Sequence, residues 1–216
     1  VMEAREAILA RVRDALGRSQ TAPAPPVPRS YRATSDVAPG SDAALALLTD
    51  RLLDYKADAH ACDEASLPAV LAGLLRLAGS IVVPPGLPTA WARPLADAGT
   101  VIRTDTREAP LSPAALDEVG AVLTAARVAV AETGTIVLDA EADQGRRAIS
   151  LVPDHHVCVV RRDQVVATVP EAVAVLGRHP ERPMTWIAGP SATSDIELVR
   201  VEGVHGPRRL DVVVVR

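Results

Sequence analysis

Residues 57 to 86, "ADAHACDEASLPAVLAGLLRLAGSIVVPPG", decide the fold. A short run, "ADAHACD", is followed by "SLPAVLAGLLRLAG", where Leu and Val recur at helical spacing. Then comes "SIVVPPG", a β-branched run closed by turn-forming residues. Strand, helix and strand in such close succession leave the two strands parallel, because the helix carries the chain back to its starting edge. The alternation extends to both sides. Upstream, "SDAALALLTDRLLDY" is a helix with Ser41 placed to cap it; downstream, "LPTAWARPLADAG" is a helix bent near Pro94 and "TVIRT" a strand. Val- and Ile-rich strands alternating with helices predict an α/β fold, a mostly parallel sheet covered by helices.

The second half changes character. "SPAALDEVGAVLTAA" is expected to be helical, with Ser112 as cap and Pro113 in the first turn. "RVAVAETGTIVLDA", "RAISLVPDHHVCVVRR" and "QVVATV" follow closely, separated by turn-prone "EADQG" and "RRDQ". They read as a hairpin-type strand region inserted into the alternating plan. "PEAVAVLGRH" is a helix, and "MTWIAG" and "LDVVVVR" are strands. At the other end, residues 3 to 17 set Ile8, Val12, Ala15 and Leu16 on one helical face, and the Pro-rich "SQTAPAPPVPRS" is a tether. The expected organisation is an N-terminal helical arm and tether at 1–30 and a single α/β domain at 31–216. The arm is available to a second copy of the chain, a possible homodimer.

Composition narrows the function classes. The net charge is −4, aromatic residues make up 2%, and there is no Phe. Neither a basic footprint nor base-stacking platforms for nucleic acid are present. The core must be built from Val, Leu, Ile and Ala. Cys62 and Cys158 are far apart, with no C-x-x-C and no His at ligand spacing, which argues against a disulfide framework, a zinc site or an iron–sulfur cluster on this chain alone. A reducing cytoplasm is the expected setting. The opening residues lack an apolar signal core, and no run approaches the ~20 apolar residues of a membrane span.

Four stretches could carry chemistry. "MTWIAGPSATSDIE" puts Gly189, Pro190 and Ser191 at the carboxyl end of a strand and is expected to open a helix there, the position where open α/β sheets bind ligands. The hydroxyls of Ser191, Thr193 and Ser194 could hold a carboxylate or phosphate. Ser194 and Glu197 equally have the spacing of a capping box. "EGVHGP" sets His205 among Gly203, Gly206 and Pro207, free of bulky neighbours. It is either a proton-transfer group oriented by Asp195 or Glu197, or an imidazole bonded to loop backbone. "AVAETGTIVL" places Glu132 inside an apolar strand pattern. Burial there would raise its pKa unless Thr133, Thr135 or the Gly134 turn stabilised the anion, and the residue reads as a base, a nucleophile or a structural tie. In "PDHHVCVV", His155 and His156 are strand neighbours facing opposite sides, unable to share a metal. His60 and His179 have no evident companions. Arg146–Arg147, Arg161–Arg162 and Arg208–Arg209 are paired arginines that could neutralise an anion or simply be solvated.

"AETGTI", "LVPDHHVCVV", "GPSATSDIE" and "GVHGP", in that order, resemble the LUD-domain family, within it the lactate-utilization protein C group. The matching positions include Glu132, Thr133, Gly134, Asp195, Glu197, Gly203, His205 and Gly206. In the usual pattern an Arg follows GPS and an Ala precedes the Asp; here Ala192 and Ser194 stand there. The resemblance implies a NagB/RpiA/CoA-transferase-like fold. It also implies a place beside two iron–sulfur subunits in oxidising L-lactate to pyruvate, with the clusters on those partners and a small anionic metabolite bound by this chain. Fold analogy leaves two other functions open: a CoA-transferase-like or isomerase-like enzyme working through Glu132, and a small-ligand sensor.

Overall fold

The computed structural model describes residues 4–17, 26–30, 32–193, 201–202 and 206–216. Residues 1–31 cluster as one unit and residues 32–216 as another. In the first, α1 (Ala4–Leu16) buries none of its residues. The second opens with α2 (Asp42–Asp54), whose first turn is capped by Ser41, its Oγ accepting from the Ala44 amide at 3.2 Å.

The strand–helix–strand stretch forms β1 (Asp58–Cys62), α3 (Leu67–Leu75) and β2 (Ser80–Val83), followed by α4 (Thr89–Asp97) and β3 (Val101–Thr104). The helix expected over "SPAALDEVGAVLTAA" is only α5 (Pro113–Asp117); "AVLTA" is instead β4 (Ala121–Ala125), buried at every position. Periodicity could not separate the two, because a central parallel strand is apolar on both faces. Gly120 makes the break: a Cβ there would lie 2.1 Å from the carbonyl oxygen of Ala78.

Next come β5 (Val128–Val130), a 3-10 turn at Ala131–Thr133, and β6 (Thr135–Leu138). The "RAISL" expected as strand is helical, α6 (Arg147–Leu151), and only His155–Arg161 extends, as β7. The chain continues through β8 (Val165–Val166), α7 (Val169–Leu176), β9 (Thr185–Ile187), β10 (Ala192–Thr193), β11 (Val201–Glu202) and β12 (Arg209–Val215). Six strands form a wholly parallel sheet in the order β1-β12-β7-β4-β2-β3. A smaller sheet, β8-β5-β6-β9, is mixed, and β10 pairs with β11 as a hairpin.

Strand alternation sorts the core into layers. On one face of the large sheet, Val157, Val159, Val213 and Val215 pack under Leu67, Leu71 and Leu75 of α3 and Trp91 and Leu95 of α4. On the other, Cys158, Val160, Leu210, Val212 and Val214 meet Leu45, Leu48 and Leu52 of α2 together with Ala129, Ile136 and Val165 of the small sheet. The far face of the small sheet is covered by Ala172 and Leu176 of α7. No described helix is long and apolar enough to cross a membrane.

Candidate functional site

The segment "GPSA" leaves β9, which runs antiparallel to β6 at the edge of the mixed sheet, so it does not continue a strand of the parallel sheet as expected. After Ser191 the described chain enters β10, not a helix. Ser194, Asp195, Glu197, Gly203 and His205 lie outside the described residues, and with them the capping box. Thr193 sits in β10.

What the described residues bring together is the root of that hairpin. The Ser191 amide donates to the Pro207 carbonyl at 2.8 Å, tying the GPS segment to the HGP segment. Gly189 has φ +81°, and a Cβ there would lie 2.5 Å from the carbonyl oxygen of Tyr55 just past α2. Only glycine meets both demands. These segments wall a cavity of about 220 Å³, whose lining includes Gly189, Ser191, Ala192, Gly206, Ser150 and His156. Because His156 and Leu210 are the second residues of β7 and β12, the cavity opens at the amino-terminal edge of the parallel sheet. Ala192 faces it, the position where the usual pattern has Arg.

His156 is fully buried in that lining. Its Nε2 is 2.8 Å from Thr124 Oγ1, Thr124 Oγ1 donates to Cys158 Sγ at 3.7 Å, and Cys158 Sγ donates to the Ala125 carbonyl at 3.7 Å. A carbonyl only accepts, so the thiol hydrogen points to Ala125; sulfur then receives the Thr124 hydroxyl hydrogen. Thr124 Oγ1 in turn receives Nε2–H. Donor and acceptor at the Nε2 contact depend on the tautomer, this chain of bonds being one consistent arrangement, and among the described residues Nδ1 has no hydrogen-bond partner. Burial, reinforced by the charge of His155, pushes the His156 pKa down to about 3, so the ring is neutral. Burial likewise raises the Cys158 thiol to about 12, with the Thr124 hydrogen bond opposing and Asp143 adding.

Glu132 is not within a strand. It lies in the 3-10 turn, because Gly134, at φ +59° and packed on the backbone of Arg51, reverses the chain between β5 and β6. Its carboxylate, 32% exposed, accepts two 2.8 Å bonds from Arg32. Thr133 Oγ1 donates to Thr135 Oγ1 at 2.8 Å. Thus the ETG turn and Gly189 both pack on the end of α2, while Glu132, Thr133 and Gly134 do not line the cavity.

One cluster went unforeseen. Asp211, fully buried in β12, lies 2.7 Å from Nε2 of His60 and 2.7 Å from Nε2 of His155, with Arg209 Nε at 2.9 Å. His60 therefore does have a companion. Burial opposes the Asp211 charge, but the bonds from His155 and His60 and the charge of Arg209 outweigh it and hold the carboxyl below its ordinary range. The available signal was a lone acid inside "RLDVVVV", which has to be paired once the strand is buried.

The LUD domain profile matches residues 93–215. A lactate utilization protein C of Deinococcus radiodurans is 54% identical over 168 residues, covering 77% of this chain and 76% of its own length. Another, from Exiguobacterium, is 28% identical over 222 residues, covering 98% and 95%. A crystal structure of a DUF162 family protein from Deinococcus radiodurans superposes with a TM-score of 0.69 at 45% identity, over 81% of this chain and 97% of that one.

Proposed function

This chain belongs to the LUD domain family, and from that premise we propose that it serves lactate utilisation as the subunit without a redox centre, holding a small 2-hydroxy carboxylate in the His156 cavity. The observation that carries the reading is the unpartnered Nδ1 of a neutral, buried imidazole beside the cavity, which this reading takes as the unprotonated nitrogen and as reached by a ligand when the wall over it gives way. A hydroxyl donates to such an atom; a ketone cannot. At about 220 Å³ the cavity is smaller than the ~300 Å³ where drug-sized ligand sites begin. The carboxylate would lie along the Gly189 and Gly206 backbone, where no side chain keeps it at a distance.

The oxidation itself would belong to two iron–sulfur partner subunits, which take up the electrons. Cys158 is a poor cluster ligand, its thiol raised to about 12 beneath Thr124, and Cys62 packs on the opposite face of the sheet. Glu132 has no part in this reading, since it does not line the cavity and its carboxylate is paired with Arg32.

Trp186, on the cavity rim and 43% exposed, provides a fluorescence readout. Titration at pH 7.5 should show L-lactate binding about tenfold more tightly than pyruvate, the equivalent of one hydrogen bond to an otherwise unsatisfied acceptor. His156→Leu should erase that preference and Glu132→Gln should leave it intact. Equal affinities in the wild type, or loss of binding only in Glu132→Gln, would refute the reading.

A further inference from the structure

A second cavity lies at the opposite edge of the parallel sheet. In the order β1-β12-β7-β4-β2-β3, β2 leads outward to β3, while β4 leads the other way toward β7. The carboxyl ends of β2 and β4 therefore border the crevice where the winding reverses, the place at which open α/β sheets receive ligands. About 310 Å³ of space opens at this edge, lined by residues that follow β2 (Pro85) and β3 (Asp105, Thr106 and Arg107) and by the loop after β6, and it is larger than the cavity beside His156.

Its walls are closely packed. The loop that follows β6 is pressed on the turn after β2: Gly86 N donates to the Ala142 carbonyl at 2.8 Å, and a Cβ on Gly86 would lie 2.6 Å from Ala142. Within that loop Ala140, in the cavity wall, holds φ +59°. A left-handed alanine costs roughly 1–2 kcal/mol, and such strain concentrates at ligand sites.

Five charged side chains line the cavity: Asp105, Glu141, Arg107, Arg146 and Arg147. Asp105 is satisfied by Arg146, at 2.7 and 2.8 Å, and by the Leu111 amide at 2.8 Å. Glu141 is paired with Arg182. Each acid of the lining is thus paired with a guanidinium, Arg182 being shared with Asp139, which Arg127 also approaches, and among the described residues neither Arg107 nor Arg147 has a side-chain partner. We propose that this crevice is a second ligand site, one that takes an organic oxyanion between the guanidiniums of Arg107 and Arg147, with the apolar wall of Pro85, Ala142 and Pro183 against its carbon skeleton. Phosphate and carboxylate share this chemistry, and only binding separates them.

The test is calorimetry on the full chain with inorganic phosphate and, separately, succinate. Saturable binding of one of them is expected, weakening with added salt. It should drop at least tenfold in the Arg107→Ala/Arg147→Ala double variant and persist in His156→Leu, with the thermal midpoint of the double variant unchanged because both guanidiniums are exposed. Three results would overturn the proposal: no saturable binding of either probe, full binding by the arginine variant, or binding lost in His156→Leu but kept in the arginine variant. The last would assign the anion to the other cavity while leaving the reading of that cavity standing.

Discussion

The two edges of the parallel sheet carry opposite chemistries. At the amino-terminal edge, β1, β7 and β12 contribute His60 and His155 around the buried Asp211 carboxylate, and β7 contributes His156 on the opposite face against Thr124. At the carboxyl edge the lining is guanidinium, Arg107, Arg146 and Arg147, with Asp105 held by one of them. An imidazole nitrogen can donate or accept a hydrogen bond, whereas a guanidinium only donates and stays charged. One edge is therefore built to accept or move a hydrogen bond, the other to hold constant positive charge. The small sheet adds neither; it covers one face and delivers the GPS segment to the first edge.

The sharpest way to break this contrast is to remove the acid at each edge. Asp211→Ala should lower stability by about 3 kcal/mol in urea denaturation, because a carboxylate satisfied by two imidazoles and an arginine is lost from the buried interior. Asp105→Ala should cost less, about 1–2 kcal/mol, since the Arg146 side chain is 36% exposed and can turn to water. Equal losses would show that the edges do not differ as described.

Acid should separate them next. His156 titrates near its ordinary 6.5 when unfolded and near 3 when folded, so the unfolded chain binds the extra proton between those values. The stability due to its neutrality is full above pH 6.5 and declines as pH falls toward about 3, by at most about 1.4 kcal/mol per unit. From pH 6.5 to 5 the wild type should lose about 2 kcal/mol more than His156→Leu. Parallel pH curves for the two proteins would mean that His156 is not buried neutral. The smallest effect concerns the thiols. At pH 8 iodoacetamide should modify the partly exposed Cys62 well before Cys158, whose pKa of about 12 leaves almost no thiolate, and mass spectrometry of the peptides reads the order.

Much of the fold was legible locally. Ser41 and Ser112 cap the helices they precede, and the Val runs at 157–160 and 212–215 are the strands that their composition indicates. "AVLTA" was misread because β4 is buried on both faces and has no polar face to mark its period. "RAISL" was absorbed into the strand after it because five residues are too few to show a helical repeat. Of the residues the sequence suggested for a site, Gly189 and Ser191, expected at the end of a strand, and Gly206, in the segment around His205, are among those that line this cavity. Asp211 was hidden because its partners, His60 and His155, are 151 and 56 residues away.

By itself, then, the sequence determined which segments are strands and helices wherever a polar face alternates with an apolar one. It also determined that β7 turns His155 and His156 to opposite faces, since side-chain direction follows from backbone period alone. Tertiary structure decided what each of those faces meets. Strand order is set by packing between segments far apart in the chain, and it placed the GPS segment at the amino-terminal edge, Thr124 under His156, and Asp211 between two imidazoles.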